Sequence, residues 1–161
     1  MNNHHLHHLV KCFLYVMVAD SEDSPEVKYF KIGISYQMSP RIASVQTGCP
    51  MKIKSSLCVQ MPTRRSAIGA EGRLHKLLAG FNTSGEWFRF DMTAADHKQA
   101  FKLATRAVLD PILGPDWKWE VITLDELKEY RASRAASNPR YPTGKDLIAH
   151  AYRMVSKQPM W

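Results

Sequence analysis

Two runs of aromatic and β-branched residues near the start of the chain constrain the fold most strongly. Residues 11–19 (KCFLYVMVA) and 28–35 (KYFKIGIS) have the composition and length of β-strands. The segment between them, residues 20–27 (DSEDSPEV), is acidic and rich in turn formers, which is typical of a hairpin loop longer than two residues. The pattern therefore predicts an antiparallel pair of strands.

Helix signals follow the second strand. Ser39 is the predicted N-cap of a compact helix, with Pro40 in its first position and Gly48 just past its end. Further elements are predicted from periodicity and cap residues: a strand over residues 51–61, a helix over 64–78, a short aromatic strand over 86–90, and a helix capped by Thr93. These elements predict an α/β (α+β) fold, a small antiparallel three-stranded sheet flanked by helices, with a C-terminal helical appendage.

The predicted domain organisation has three parts. Residues 1–10 form a flexible N-terminus whose His4, His5, His7 and His8 could bind a metal adventitiously. Residues 11–115 form the compact domain, and residues 116–161 form a basic helical appendage. The arginines of that appendage either contact duplex phosphate non-specifically or simply keep an exposed helix soluble; they are Arg131, Arg134 and Arg140.

The net charge and the number of cysteines limit the possible classes of function but do not select one. The 161 residues carry a net charge of +7, which is compatible with a phosphate-rich partner. The charge is uneven: residues 28–76 hold nine Lys and Arg and a single acid, Glu71. Three widely spaced cysteines indicate neither a disulfide framework nor a zinc site, and no apolar run approaches a membrane span. We therefore expect a cytoplasmic protein that binds no membrane.

An ordered series of short motifs carries the chemistry. The chain contains Lys31-Ile32-Gly33, then Arg41, then Gln46-Thr47-Gly48, then Glu71 with His75 four residues later, and finally Glu86-Trp87-Phe88. In this order the motifs resemble those of the GIY-YIG nuclease superfamily, most closely its short phage and fungal branch, over about residues 13–90. Phe13-Leu14-Tyr15 stands where Gly-Ile-Tyr occurs elsewhere in the superfamily, and Lys31 stands in place of the second tyrosine.

The resemblance implies a Mg²⁺- or Mn²⁺-dependent DNA endonuclease and a role for each matching residue. Glu71 would be the metal ligand, a single carboxylate being enough for Mg²⁺ with most of its water shell. The implied catalytic residues are an activating tyrosine, a phosphate-contacting lysine, a phosphate clamp and a proton-transfer group, respectively Tyr15, Lys31, Arg41 and His75. Gly33 would let the strand backbone approach the site.

Simpler interpretations of the same residues stay open. Tyr15 is equally typical of a sheet face, Glu71 of a solvated ion-pair face, and His75 of a hydrogen-bonded core. The predicted nucleic-acid contacts are Lys52, Lys54, Arg64, Arg65 and Arg73, although Lys52 and Lys54 also suit a protected edge strand. The alternative function is a catalytically degenerate protein of the same fold that binds nucleic acid or a host protein without cleavage.

Overall fold

The computed structural model describes residues 11–123 and, beyond them, positions 125, 128, 129 and 132. The predicted flexible N-terminus with its histidine cluster lies outside the described residues. So does most of the predicted appendage, including Arg131, Arg134 and Arg140.

The two apolar runs at the start of the chain form the predicted hairpin. Residues from Phe13 to Asp20 pair with residues from Ser35 back to Lys28 in an unbroken antiparallel ladder. Lys28 donates to Asp20 at 2.6 Å beside the connecting loop, so the charges flanking the loop match the ladder's register. The prediction of this strand pair is confirmed.

The sheet is larger than predicted. Within the described residues it has six strands, each pairing antiparallel, in the order β4-β5-β2-β1-β3-β6. The strands are β1 (Cys12–Asp20), β2 (Val27–Ser35), β3 (Ile53–Met61), β4 (Asn82–Ser84), β5 (Trp87–Asp91) and β6 (Glu120–Thr123). The α+β class is right and the expectation of three strands is wrong, because β4 and β6 are too short to show a period-two pattern.

Two features of this sheet bear on the sequence expectations. β6 lies in the stretch assigned to the appendage, so the sheet continues past residue 115. β3 lies between β1 and β6, but β6 pairs with residues 55–58, so Lys52 and Lys54 lie just before the stretch that β6 covers.

Within residues 11–123, three helices pack on the sheet, together with a short 3-10 turn at Ala79–Phe81. They are α1 (Met38–Gly48), α2 (Arg64–Leu77) and α3 (Ala95–Leu113). α2 begins with a capping box, in which Thr63 accepts from the Ser66 backbone and the Ser66 hydroxyl accepts from the Thr63 backbone.

Three predicted helix-end positions are wrong. Gly48, expected just past the end of α1, is its last residue, and the cap position is Cys49. Ser39 lies inside α1, because the Ser35 hydroxyl both accepts from Gln37 N and donates to Gln37 O and so closes the preceding turn earlier. Thr93 does not cap α3, because its hydroxyl donates to Asp91 at 2.6 Å and the cap position is Ala94.

The sheet has an apolar cluster on each face. One face packs under α2 and α3 and includes Leu14, Ile32, Leu74 and Phe88. The other face carries Tyr15 and Met17 and packs against α1 through Met38 and Ile42. Consequently α1 and α2 approach the sheet from opposite sides. Among the helices of the described part, none is both long and apolar enough to cross a membrane.

Candidate active site

Tyr15 and Gly33 face each other across the β1–β2 ladder. They are directly paired in register, and the Tyr15 side chain is fully buried. A Cβ added to residue 33 would lie 2.6 Å from Tyr15 Cζ and closer still to its hydroxyl oxygen. Gly33 is therefore the residue that makes room for the phenol ring across the strand pair.

Arg41 holds the hydroxyl of Tyr15. It lies in the first turn of α1, and its Nε donates to Tyr15 Oη at 3.0 Å, with the guanidinium carbon 5.9 Å from the ring centroid. Within the described residues the two terminal nitrogens of Arg41 have no hydrogen-bond partner. Those nitrogens remain able to bind a phosphate or carboxylate in a bidentate manner.

The protonation state of this pair follows from its surroundings. Burial raises the pKa of Tyr15 above its ordinary value, and the hydrogen bond from Arg41 only partly offsets that effect. The same hydrogen bond raises the pKa of Arg41. At neutral pH Tyr15 is therefore a neutral phenol that accepts from Arg41 and keeps its own proton for donation.

On the side of β2 that faces β5, the backbone beyond Ile32 has no strand partner among the described residues, because β5 does not extend that far. β5 pairs with β2 only from Val27 to Lys31, and the last backbone contact runs from Ile32 N to Glu86 O at 3.2 Å. The next group on that side is the imidazole of His75, whose Nε2 lies 3.1 Å from Ile32 O. A side chain of α2 thus occupies the place of the missing strand neighbour.

The contact with Ile32 assigns the tautomer of His75. A carbonyl oxygen can only accept, so His75 Nε2 carries the proton and donates it. In the neutral imidazole Nδ1 then keeps a lone pair. The ring also packs against Phe88, with centroids 5.2 Å apart, so its orientation is held from two sides.

Glu71 precedes His75 by one helical turn and is half-buried. Burial raises the pKa of its carboxyl above the ordinary value, and the charge of Glu86 raises it further. Interactions with His75, Lys31 and Arg41 lower this pKa and act in the opposite direction. Glu71 on α2 therefore interacts electrostatically with Arg41 on α1, although the two helices pack on opposite faces of the sheet.

Lys31 and Glu86 form an ion pair in this environment. Lys31 Nζ donates to a carboxylate oxygen of Glu86, the Lys31 side chain is only 12% exposed, and its ammonium lies 5.9 Å from the centroid of the Trp87 ring. Glu86 was not among the predicted site residues. The signal that could have found it was its place as the acid of the Glu86-Trp87-Phe88 motif; in the structure Trp87 pairs with Lys31 across the strands.

The donors for a divalent cation are limited. Residues 11–123 contain no group of three His, Cys, Asp or Glu arranged to hold a metal ion. Glu71 offers a half-buried carboxylate whose negative charge is disfavoured by burial and by Glu86, and a cation would relieve both effects. Such a site suits Mg²⁺, which retains most of its water ligands.

The predicted nucleic-acid contacts fall into two separate groups. Arg64, Arg65 and Arg73 are exposed on α2, which begins just after Met61 pairs with Cys12. Lys52 and Lys54 flank Ile53, which pairs with Ala19 at the other end of the ladder, and Lys54 lies 3.9 Å from Asp20. The arginines lie on the same helix as Glu71, whereas the two lysines lie beside the hairpin loop.

The motif glutamine, Gln46, has a structural explanation. Its Nε2 donates to Met51 O at 3.0 Å and its Oε1 accepts from Ile53 N at 2.8 Å. This side chain ties the end of α1 to the start of β3 and so holds the helix that carries Arg41.

Comparison with known proteins identifies the domain. Residues 13–106 match the family model of the T5orf172 domain, more than half of the 161 residues. The chain belongs to the T5orf172 domain family. No curated protein and no solved structure matches it significantly. The T5orf172 domain is phage-associated and occurs in some nuclease contexts. The matched residues of this T5orf172 domain include every side chain of the site described above.

Proposed function

We propose that this T5orf172 domain is a phage-encoded, Mg²⁺- or Mn²⁺-dependent endonuclease of GIY-YIG type that hydrolyses phosphodiester bonds in DNA. One observation carries the proposal: a hydrogen-bonded Tyr15–Arg41 pair shares an electrostatic environment with Glu71 and His75, although their helices pack on opposite faces of the sheet. A purely structural ion-pair network has no need of the buried phenol in that group.

Arg41 is the phosphate clamp in this proposal. Its Nε donates to Tyr15, which orients the guanidinium and leaves the two terminal nitrogens able to donate to a phosphate. Two parallel N–H bonds to phosphate oxygens would offset the charge that develops at phosphorus during hydrolysis. Lys31 forms an ion pair with Glu86. In the proposal Arg41 therefore binds the phosphate directly, and Lys31 contributes positive charge beside it.

In the proposal His75 accepts a proton during hydrolysis and Tyr15 donates a hydrogen bond. Water oxygen forms a bond to phosphorus while the bond from phosphorus to the leaving oxygen breaks; one proton leaves the attacking water, and the leaving oxygen takes one proton from a solvent water. The free Nδ1 of neutral His75 can accept the first proton. Tyr15 is a neutral phenol at neutral pH, and burial raises its pKa further; it orients that water or the phosphate by donating its hydroxyl hydrogen.

Glu71 is the proposed metal ligand. When bound there, Mg²⁺ or Mn²⁺ would polarise the phosphate and lower the pKa of a coordinated water. Glu71 lies one turn from His75, so the ligand and the proton acceptor belong to one rigid helix. The exposed arginines of that helix, Arg64, Arg65 and Arg73, would contact the backbone of double-stranded DNA.

The test is nicking of supercoiled plasmid by the purified full chain with Mg²⁺ or Mn²⁺. We expect wild type to nick, and Arg41→Ala and Glu71→Gln to lose the activity. Glu22→Gln is the matched control, because that carboxylate is exposed in the hairpin loop. If wild type nicks with neither metal, or both variants nick as well as wild type, the endonuclease proposal is lost. The alternative, a protein that binds nucleic acid or a host protein without cleavage, then takes its place.

A further inference from the structure

A shallow groove of about 350 Å³ lies where β2 ends and α1 begins. Its lining residues come from the turn and from one side of the helix: Ser35, Tyr36, Gln37, Pro40, Arg41 and Ser44. Pro40 and Ser44 are four residues apart and therefore lie one above the other along α1. The groove is open to solvent and contains no acidic side chain.

Tyr36 is an exposed aromatic ring at the edge of this groove. The side chain is in the turn between β2 and α1, and the residue is 44% exposed. Within residues 11–123 its ring stacks on no other aromatic ring. The two hydrogen bonds between Ser35 and Gln37 close the turn around Tyr36, so the ring is presented by a fixed backbone.

Arg41 belongs to both the groove and the catalytic group. Its Nε donates to the hydroxyl of Tyr15, and Arg41 is also one of the residues that line the groove. A molecule that places a phosphate on the terminal nitrogens of Arg41 therefore brings its next chemical group into the groove. In a nucleic acid that group is a sugar with its flat base.

We propose that this groove binds one unpaired nucleobase of the DNA strand, stacked on Tyr36, directly beside the phosphate held by Arg41. The proposal rests on the proposed endonuclease function and specifies its substrate as DNA with an unstacked nucleotide. A base inside a regular duplex cannot reach the groove without leaving the stack, which costs least at a bulge, mismatch or single-stranded position. The aromatic ring repays that cost by stacking, whatever the identity of the base.

The experiment measures affinity in EDTA, where the full chain binds without cleaving. Three fluorescent duplexes are compared by anisotropy: fully paired, with one bulged nucleotide, and with an abasic residue in the bulge. We expect wild type to bind the bulged duplex about 10-fold more tightly than the other two. Tyr36→Phe should keep this preference, because the ring remains, and Tyr36→Ala should lose it while binding the paired duplex as wild type does.

The outcomes separate this inference from the proposed function. Equal affinity of wild type for the bulged and abasic duplexes, an unchanged preference in Tyr36→Ala, or no DNA binding at all would each overturn the stacking site. Plasmid nicking is scored separately with the same preparations. Wild type that nicks but shows no preference for the bulged base keeps the endonuclease function and loses only the groove.

Discussion

Gly33 is paired directly with Tyr15, and the phenol ring fills the space where any other residue at position 33 would place its Cβ. The ring that occupies this space is the one that accepts the hydrogen bond from Arg41. The position of the proposed phosphate clamp therefore depends on the absence of a side chain on the neighbouring strand.

Gly33→Ala should displace the Tyr15 ring and separate its hydroxyl from Arg41. Overpacking of this kind costs about 1–3 kcal/mol of unfolding free energy, and misplacing the clamp should lower nicking about 100-fold. Urea denaturation and plasmid nicking measure the two effects. Gly69→Ala is the matched control, because a Cβ there meets open space on α2 and should stabilise by about 0.5–1 kcal/mol. Equal behaviour of the two variants would contradict the packing argument.

Tyr15→Phe should remove the hydrogen-bond acceptor of Arg41 while leaving the ring in place. We expect about 1 kcal/mol lower stability and at least about 10-fold slower nicking. Because the pKa of Tyr15 is raised above its ordinary value, the ratio of wild-type to variant rates should be the same at pH 7 and pH 9. A ratio that grows between these two pH values would show that a phenolate, not a phenol, is the active form.

Glu71→Gln should make the protein more stable at neutral pH and unresponsive to metal. The folded pKa of Glu71 is raised, so its ionisation opposes folding, and wild-type stability falls as pH rises through that pKa. The variant should therefore have the higher Tm at pH 7, with the difference vanishing below the ordinary glutamate range. Added Mg²⁺ should raise the Tm of wild type only. A metal-induced shift in Glu71→Gln would remove Glu71 as the ligand.

The Lys31–Glu86 pair should tune the acidic limb of the pH–rate profile in opposite directions. Glu86 raises the pKa of Glu71 and Lys31 lowers it. Glu86→Gln should therefore move the acidic limb to lower pH, and Lys31→Met should move it to higher pH. Nicking rates between pH 4 and pH 8 give both shifts. Shifts of the same sign would indicate that these variants disturb the fold instead of the charge balance.

The two groups of basic residues should differ in their effect on DNA binding. Neutralising Arg64, Arg65 and Arg73 to Gln should reduce the slope of log affinity against log salt by about 0.9 for each DNA phosphate that the variant no longer binds. Neutralising Lys52 and Lys54 tests the other end of the β1–β3 ladder, where Lys54 already lies near Asp20. Titrations at several salt concentrations decide which group binds. An unchanged slope in both variants would favour a protein partner over DNA.

Much of the fold was predictable where the chemistry is local. The hairpin and the helix over 64–78 were confirmed because each depends on periodicity within a few turns or strand residues. The cap predictions at Ser39 and Thr93 were wrong because the Ser35 hydroxyl accepts from Gln37 N before α1, and the Thr93 hydroxyl donates to Asp91. β6 pairs with β3 although more than 50 residues separate them in the chain, and a local sequence pattern cannot predict which distant strand will be the partner.

The candidate site divides in the same way. The spacing of Glu71 and His75 predicted a shared helix face, and the structure has both on α2. The contact between Tyr15 and Arg41 joins residues 26 apart and depends on how α1 packs on the sheet. The part played by Glu86 depends on where β5 begins, and that boundary sets both its ion pair and the gap filled by His75.

The sequence was enough to predict the strand pair and the excess of positive charge in residues 28–76, and the order of its motifs, by their resemblance to a nuclease superfamily, indicated the candidate catalytic side chains. Those properties are local or additive, so they can be read without coordinates. Three relationships needed the folded chain: Tyr15 packs into the space above Gly33, Arg41 reaches its hydroxyl, and Glu71 on one face of the sheet interacts electrostatically with Arg41 on the other. They depend on strand register and helix packing, which are properties of the whole chain.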